Sequence, residues 1–276
     1  DGAWLGEYGN MLPMADRLHM AREPAPAFRD TNFAAYCAVV VWHAYQLTGD
    51  RALVRRYWPM VAAATDFVIA QQHATGDISW SAEAHETGAD DAVRAGCGSI
   101  HKSLHCALKL ADLVGEARPQ WAEARRRLRA ALRLAPERFD RTTDRSAFAM
   151  DWYYPVLGGA VGGPDALARL DADWTAFVEP GIGCRCVRDQ PWATVAETCE
   201  LALTLISVGR RREAAELLAW QDAHRDEGGA YWMGWQFEEA IIWPQERPTW
   251  TQAAAILAHD ALYELTPAAK VLVCHA

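Results

Sequence analysis

The stretch FAAYCAVVVWHAYQLTGDRALVRRYWPMVAAATDFV, residues 33–68, decides the fold. Its first half is almost wholly apolar, whereas its second half is amphipathic and rich in arginine. A helix that is apolar all round is buried, and an amphipathic helix faces water. Gly49 and Asp50 stand between the halves, where glycine ends one helix and aspartate begins the next. The stretch therefore predicts an inner helix over 33–48 and an outer helix over 51–73.

The same pairing recurs along the chain at a period of roughly 50 residues, and strand signals are nearly absent. We therefore predict an all-α fold, an (α/α)6 toroid or barrel of alternating inner and outer helices in a single domain, 1–276. Five inner and four outer helices leave this barrel short of one helix pair before Asp1 and of a closing outer helix. The other predicted helices are 99–115, 119–135, 147–160, 164–176, 193–208, 210–225 and 249–264.

Long loops precede the inner helices, whereas the breaks at their other ends are short. In a closed ring these loops meet at one mouth, and functional residues lie on loops held by a rigid scaffold. Aromatic faces beside charged groups suit sugar rings, because the C–H faces of a sugar stack on them. Of the 13 tryptophans in the chain, the loops carry Trp4, Trp80, Trp152, Trp192, Trp232, Trp235, Trp243 and Trp250.

Composition narrows the function classes. The net charge of −9 argues against nucleic acid as a partner, because phosphate binding needs clustered Lys and Arg. No apolar run reaches the roughly 18 residues that a membrane span needs. Seven cysteines, several in apolar helical stretches, favour a reducing, cytoplasmic setting. His101 and His105 share a helix face but lack the glutamate of the zinc-protease pattern, so we predict no metal and no cofactor. The oligomeric state stays open.

Four segments resemble glucoamylase-like (α/α)6 glycoside hydrolases. AFRDTNFAAYCAVVVW (27–42) resembles their Arg-Asp segment, and YQLTGDRALVRRYWPMVAAATDFV (45–68) is similar to a segment that recurs through (α/α)6 sugar hydrolases. SWSAE (79–83) resembles their Trp-Glu-Glu general-acid segment with altered spacing, and PQERPTWTQAA (244–254) resembles their general-base segment. The resemblance implies a glycoside hydrolase with a carbohydrate substrate. An inverting enzyme of this kind cleaves an oligo- or polysaccharide with a pair of carboxylates.

The resemblance assigns Glu246 as the general base and Glu83 as the general acid. Asp151 is the next candidate for the acid, since it precedes Trp152 and two tyrosines. The remaining loop carboxylates Glu86, Asp90 and Asp91 stay open as acids.

The predicted sugar-binding residues surround these carboxylates. Arg29 and Asp30 are predicted to clamp hydroxyls, and Asp30 can also cap the helix at 33–48. Glu197 and Glu200 fall one turn into an apolar inner helix, where a charge has a function more often than not. The other predicted contacts are Trp80, Trp152, Tyr153, Arg185, Trp192, Trp232, Trp235, Trp243 and Trp250.

Other interpretations remain open. DGAW (1–4), QQHATGDISW (71–80) and WQDAHRDEGGAYW (220–232) resemble the Gln…Gly-x-Trp repeats of terpene cyclase and prenyltransferase-like α/α barrels, and the chain is similar to bacterial proteins labelled prenyltransferase. The Asp-x-Asp-Asp of the cyclases is absent. A sugar epimerase or lyase would use His85, His101 or Tyr153. A non-catalytic carbohydrate-binding barrel is the last alternative.

Overall fold

The computed structural model describes residues 29–83 and 90–275. These ranges contain each of the nine predicted helices, with shifted ends: α3 begins at Arg94 rather than at residue 99. The helices are α1 Thr31–Thr48, α2 Arg51–Ala70, α3 Arg94–Val114, α4 Pro119–Leu134, α5 Ala149–Leu157, α6 Pro164–Phe177, α7 Val195–Ser207, α8 Arg211–Trp220 and α9 Thr249–Tyr263.

The described residues form two compact units. The first comprises 29–42 and 50–142, and the second comprises 43–49 and 143–275. Each unit is mostly helical. Closure of the helix pairs into one ring, and the single-domain organisation, stay predictions.

In the first unit, the start of α1 is joined to the segment 79–83. The Thr31 N–H donates to the Trp80 carbonyl at 3.1 Å, and the Thr31 hydroxyl donates to the Ser79 carbonyl at 2.7 Å. Asp50 caps α2 as predicted, because its side chain accepts the N–H of Ala52 at 2.7 Å. These contacts fix the loop that carries Glu83 beside the first turn of α1.

The second unit contains a small sheet that the sequence analysis missed. Five strands of two or three residues pair antiparallel in the order β1-β2-β3-β4-β5. Pairing of Ala193 with Trp235 and of Thr194 with Gly234 joins two loops far apart in sequence. Strands this short carry no readable alternation, so only their pairing defines them. They are β1 Val178–Glu179, β2 Gly183–Arg185, β3 Trp192–Thr194, β4 Gly234–Gln236 and β5 Ile241–Ile242.

Burial of the apolar helices differs from the expectation. Helix α7 is buried along most of its length, as predicted. Helix α1, in contrast, leaves Val40 64% exposed, and α9 leaves Ile256 69% exposed. The expectation that every apolar helix is covered all round is therefore wrong for these two helices, because composition does not say which faces have neighbours.

Candidate active site

Glu246 is half-buried in the connection between β5 and α9. Its carbonyl accepts the N–H of Met233 at 2.8 Å, and the carbonyl of Met233 accepts the N–H of Val195 at 3.1 Å. The peptide bond between Trp243 and Pro244 is cis. Val195 begins α7. The backbone of Met233 therefore lies between the backbone of Glu246 and the N-terminal end of α7, which are separated by about two strand spacings, or roughly 10 Å.

Exposed tryptophans flank Glu246 in sequence. Trp243 is 56% exposed and Trp250 is 59% exposed. Trp192 donates its indole N–H to the Trp243 carbonyl at 2.7 Å, and the two rings meet edge-on with centroids 5.4 Å apart. Aromatic faces that reach solvent beside a carboxylate can stack on sugar rings.

Trp232 and Trp235 are half-buried, and each already has a ring neighbour. The Arg247 guanidinium lies over the Trp232 ring at 4.9 Å and pairs with Asp226. The His224 ring is 5.7 Å from the Trp235 ring. These two tryptophans therefore use part of their faces inside the protein.

Arg185 is held by contacts within the second unit. Its Nη2 donates to the Glu179 carboxylate at 2.5 Å, and its guanidinium lies 5.0 Å from the Phe237 ring centroid. A further hydrogen bond from Nη1 reaches the Arg188 carbonyl at 3.2 Å. The predicted clamp would have to share a guanidinium that is already ion-paired.

Two carboxyls in the first two turns of α7, Glu197 and Glu200, form a cluster with two phenols in the middle of α5, Tyr153 and Tyr154. Glu200 accepts hydrogen bonds from the hydroxyls of Tyr153 at 2.5 Å and of Tyr154 at 2.7 Å. Burial raises the pKa of Glu200, and the two hydroxyls oppose that rise. Tyr153 is fully buried. It therefore contributes to the site by holding Glu200 rather than by touching a ligand.

Glu197 lies one turn before Glu200 and is partly accessible to solvent. One carboxyl oxygen contacts the Thr194 hydroxyl, and the Cys186 thiol is hydrogen-bonded to the same carboxyl. Burial raises the pKa of Glu197 to about 7; the charge of Glu200 adds to the rise and the thiol opposes it. At neutral pH this group is therefore partly protonated.

Trp152 and Asp151 lie in the interior, contrary to the expectation that they line the mouth. Trp152 is 3% exposed, stacks on Phe177 at 5.1 Å and donates its indole N–H to the Arg169 carbonyl at 2.8 Å. Asp151 is 5% exposed, and its carbonyl accepts from the Arg169 guanidinium at 2.8 Å. The aromatic neighbours of Asp151 pack the core, so Trp152 offers no face to a ligand.

In the first unit, Glu83 forms an ion pair with Arg29. The guanidinium Nε donates to Oε1 at 2.5 Å, the Arg29 N–H donates to Oε2 at 2.7 Å, and the Ser81 hydroxyl donates to Oε2 at 2.9 Å. Burial alone would raise the pKa of Glu83, but these bonds outweigh it and lower the pKa to about 2. A general acid needs the opposite shift, because it must hold a proton near neutral pH.

Asp30 caps α1 and has a raised pKa. Its Oδ1 accepts the N–H of Phe33 at 2.7 Å. Burial raises the pKa of Asp30, and the N–H groups of Phe33 and Asn32 oppose that rise. Trp80, nearby in the first unit, is half-buried, and its N–H donates to the Asp91 carbonyl at 3.0 Å.

Thr194, which contacts Glu197, and Tyr154, which contacts Glu200, were not singled out as site residues from the sequence. Thr194 and Glu197 have the Thr-x-x-Glu spacing of a capping box, which would have located the start of α7. Tyr154 gave no signal, because its contact with Glu200 joins separate helices.

Some predicted residues fall outside the candidate site. Trp4, His85 and Glu86 lie outside the described residues. His101 is fully buried in α3, so it offers no base to a sugar. Within 29–83 and 90–275, no three His, Cys, Asp or Glu side chains are grouped to hold a metal ion. None of the helices in these ranges has both the length and the hydropathy that a bilayer crossing requires.

Comparison with known proteins gives one related sequence and several related folds. No protein-family model matches the chain. It is 48% identical over 238 residues to "MMP endo-(1,4)-3-O-methyl-alpha-D-mannosidase" of Mycolicibacterium hassiacum, a match that covers 86% of this chain. The chain spans 65% of the length of that relative.

Solved structures support the fold. A structure titled "Glycosidase E335A in complex with glucose" matches with a TM-score of 0.62 at 16% identity, over 85% of this chain and 67% of the other. A rhamnosidase from Klebsiella oxytoca with rhamnose bound matches with a TM-score of 0.59 at 16% identity, over 85% of this chain and 47% of the other. The mostly helical fold is therefore one that glycosidases use.

Proposed function

We propose that the protein is a glycoside hydrolase that cleaves inside a chain of α-1,4-linked, 3-O-methylated mannose. The observation that carries this proposal is the 48% identity, over 86% of the chain, to a relative named for that activity. The exposed Trp243 and Trp250 on either side of Glu246 support a carbohydrate ligand.

Glu246 acts as the general base in an inverting reaction. It takes a proton from a water molecule, and the water oxygen attacks the anomeric carbon as the bond to the leaving sugar breaks. Pro244 and Pro248 restrict the backbone on both sides of Glu246. A restricted backbone limits the positions that the carboxylate can adopt.

Within the first unit, Asp30 is a better candidate than Glu83 for the acid that gives a proton to the leaving glycosidic oxygen. Its raised pKa suits this role, whereas the lowered pKa of Glu83 does not. Glu83 instead orients Arg29, which then serves as a sugar clamp. This assignment replaces Glu83 and Asp151 as the proton donor.

The test is hydrolysis of α-1,4-linked 3-O-methylmannose oligosaccharides, with reducing ends counted and the first-formed anomer identified by NMR. Glu246→Gln should lower kcat by about a thousandfold. Glu239→Gln is the matched control, because Glu239 is an exposed glutamate in the neighbouring turn between β4 and β5. Retained activity in Glu246→Gln, or a first product with the anomeric configuration of the substrate, would refute the assigned mechanism. No release from any oligosaccharide by the wild type would refute the activity itself.

Asp30→Asn separates the acid from the helix cap. Asparagine caps a helix about as well as aspartate, so the variant should fold normally. Its kcat should fall about a hundredfold or more on oligosaccharides. The loss should be much smaller on mannosyl fluoride, whose leaving group needs no proton. Equal losses on both substrates would exclude Asp30 as the acid.

A further inference from the structure

We propose that Glu197 contacts the substrate as a neutral carboxylic acid and donates a hydrogen bond to an ether oxygen of the methylated sugar, with Glu200 as its positioning residue. This inference rests on the proposed function. It adds a residue that selects for methylated sugars at the same site.

The position of Glu197 carries the first step. It lies in the first turn of α7, directly after β3, and the carbonyl of Met233 links the Val195 N–H to the backbone of Glu246. Glu197 is partly accessible, whereas the next residues, Thr198 and Cys199, are fully buried. Glu197 is therefore a partly accessible carboxyl at the end of α7 that the Met233 backbone links to Glu246.

The partners of Glu200 carry the second step. Two phenolic hydroxyls donate to its two carboxyl oxygens, at 2.5 and 2.7 Å. Donors of this kind favour the charged form of a carboxyl. Among the described residues, the partners of the Glu197 carboxyl are, in contrast, the Thr194 hydroxyl and the weakly donating Cys186 thiol. Of the two neighbouring glutamates, Glu200 therefore keeps the negative charge and Glu197 keeps the proton.

The groups around Glu197 supply little positive charge. The groups that act on its pKa are the Cys186 thiol from beside β2 and Glu200 from α7. The guanidinium of Arg185 on β2 pairs with Glu179. The other titratable groups on α7 and on β2, α5 and α8, which pack against it, are Cys184 on β2, Asp151, Tyr153 and Tyr154 on α5, Cys199 on α7, and Arg211, Arg212, Glu213 and Glu216 on α8.

Helix α9 carries further charges, and it also packs against α7. Its titratable groups are His259, Asp260 and Tyr263, and all three lie in its last two turns. The pKa of Glu197, raised to about 7, agrees with this setting.

The chemistry of the substrate explains the need for a donor. A methyl ether has no hydroxyl hydrogen, so its oxygen only accepts hydrogen bonds. An ionised carboxylate also only accepts, whereas a protonated one has an O–H to donate. A neutral Glu197 thus suits an ether oxygen, and an ionised Glu197 would repel it. A capping box alone would place the carboxylate on the backbone N–H of Thr194, but here its Oε2 meets the Thr194 hydroxyl.

The experiment measures kcat and KM from about pH 5 to about pH 9, on methylated and unmethylated α-mannose oligosaccharides. For wild type, KM on the methylated substrate should rise about tenfold as pH passes roughly 7. Ionisation of Glu197 removes one hydrogen bond to the substrate, and the free energy of one hydrogen bond corresponds to a change of about that size. Glu197→Gln keeps a donor that cannot ionise, so its KM should stay low across the range. Glu197→Ala should have, at every pH, the high KM that wild type reaches only above roughly pH 7, about tenfold above the wild-type KM at about pH 5.

Tyr154→Phe tests the positioning role with a mild change. Loss of one donor to Glu200 favours a proton on Glu200 and removes charge beside Glu197. The KM inflection should then move to lower pH, by about half a unit. A wild-type inflection that persists unchanged in Glu197→Gln, or a KM at about pH 5 that is as low in Glu197→Ala as in wild type, would overturn the proposal.

A measurement without turnover separates this inference from the proposed function. Carbon-13 NMR of glutamate-labelled protein should find one carboxyl titrating near pH 7, and its signal should be absent in Glu197→Gln. Calorimetric binding of methylated oligosaccharide to Glu246→Gln should weaken above that pH. If the wild type releases no sugar but the titration and the pH-dependent binding are both observed, the hydrolase assignment is refuted and the contact of Glu197 with the sugar is retained. If hydrolysis succeeds and both results fail, the contact falls alone.

Discussion

Glu83 and Glu197 are two glutamates with opposite environments. Each has a hydroxyl partner, Ser81 for one and Thr194 for the other. Glu83 also meets the guanidinium of Arg29, and its pKa falls to about 2; burial, with a smaller contribution from the charge of Glu200, raises the pKa of Glu197 to about 7. The hydroxyl and some burial are common to both, so the presence of the Arg29 guanidinium at Glu83, and of no such cation acting on Glu197 among the described residues, decides which group can carry a proton at neutral pH.

The largest effect expected from this contrast is on stability. Glu200→Ala leaves the fully buried Tyr153 hydroxyl without its acceptor and opens a small void, so the free energy of unfolding should fall by about 3 kcal/mol. Glu83→Ala removes a partly exposed ion pair and should cost about 1 kcal/mol. Urea unfolding followed by tryptophan fluorescence compares them. Equal decreases in the free energy of unfolding would contradict the difference between a buried carboxyl and a partly exposed ion pair.

The second effect is that the free energy of unfolding depends on pH through the titration of Glu197. Its pKa is about 7 in the folded protein and 4.5 without burial. Between these values the folded state keeps a proton that the unfolded chain has lost, so stability falls as pH rises. The loss should be on the order of 2 kcal/mol, given its partial accessibility. Subtracting the Glu197→Gln unfolding curve from wild type at each pH isolates this contribution. A flat difference would refute the raised pKa.

The third effect has the opposite sign. The pKa of Glu83 falls from 4.5 to about 2, so its stabilisation is present above roughly pH 4.5 and is lost as pH drops towards 2. Glu83→Gln should therefore lower the unfolding free energy by about 1 kcal/mol at pH 6 and by almost nothing near pH 2. Thermal unfolding of both proteins at the two pH values measures this. A difference that persists in acid would indicate packing rather than charge.

The smallest effect is the response to salt. Raising the ionic strength to about 1 M screens exposed pairs and leaves buried groups nearly unchanged. The pKa of Glu83 should rise by a few tenths of a unit, whereas that of Glu197 should move less. Carbon-13 titration of both carboxyls at low and high salt checks this. A larger salt response at Glu197 would place it on the surface.

The sequence located the helices well because each carries a local signal. The Gly49-Asp50 break and the cap of Asp50 are read from neighbouring residues, and the structure contains both. The sheet could not be read, since Ala193 pairs with Trp235 across intervening helices. No window of sequence holds both strands.

The prediction of site residues also succeeded where the signal was local and failed where contacts between distant residues decided the environment. Aromatic composition identified the exposed Trp243 and Trp250, but it also suggested Trp152, whose ring packs on Phe177 in the core. Glu83 follows Trp80 in sequence, which suggested an apolar setting for an acid. The Arg29 guanidinium comes from 54 residues away and reverses that expectation.

The sequence by itself determined the helices, because periodicity and caps act within a few residues. It also placed Glu246 between two prolines and two tryptophans. Only the tertiary structure decided which carboxyls hold protons: Arg29 reaches Glu83, and two tyrosines of α5 reach Glu200 on α7. A pKa depends on charge and solvent within a few ångströms in space, and that neighbourhood is assembled from parts of the chain that are far apart in sequence.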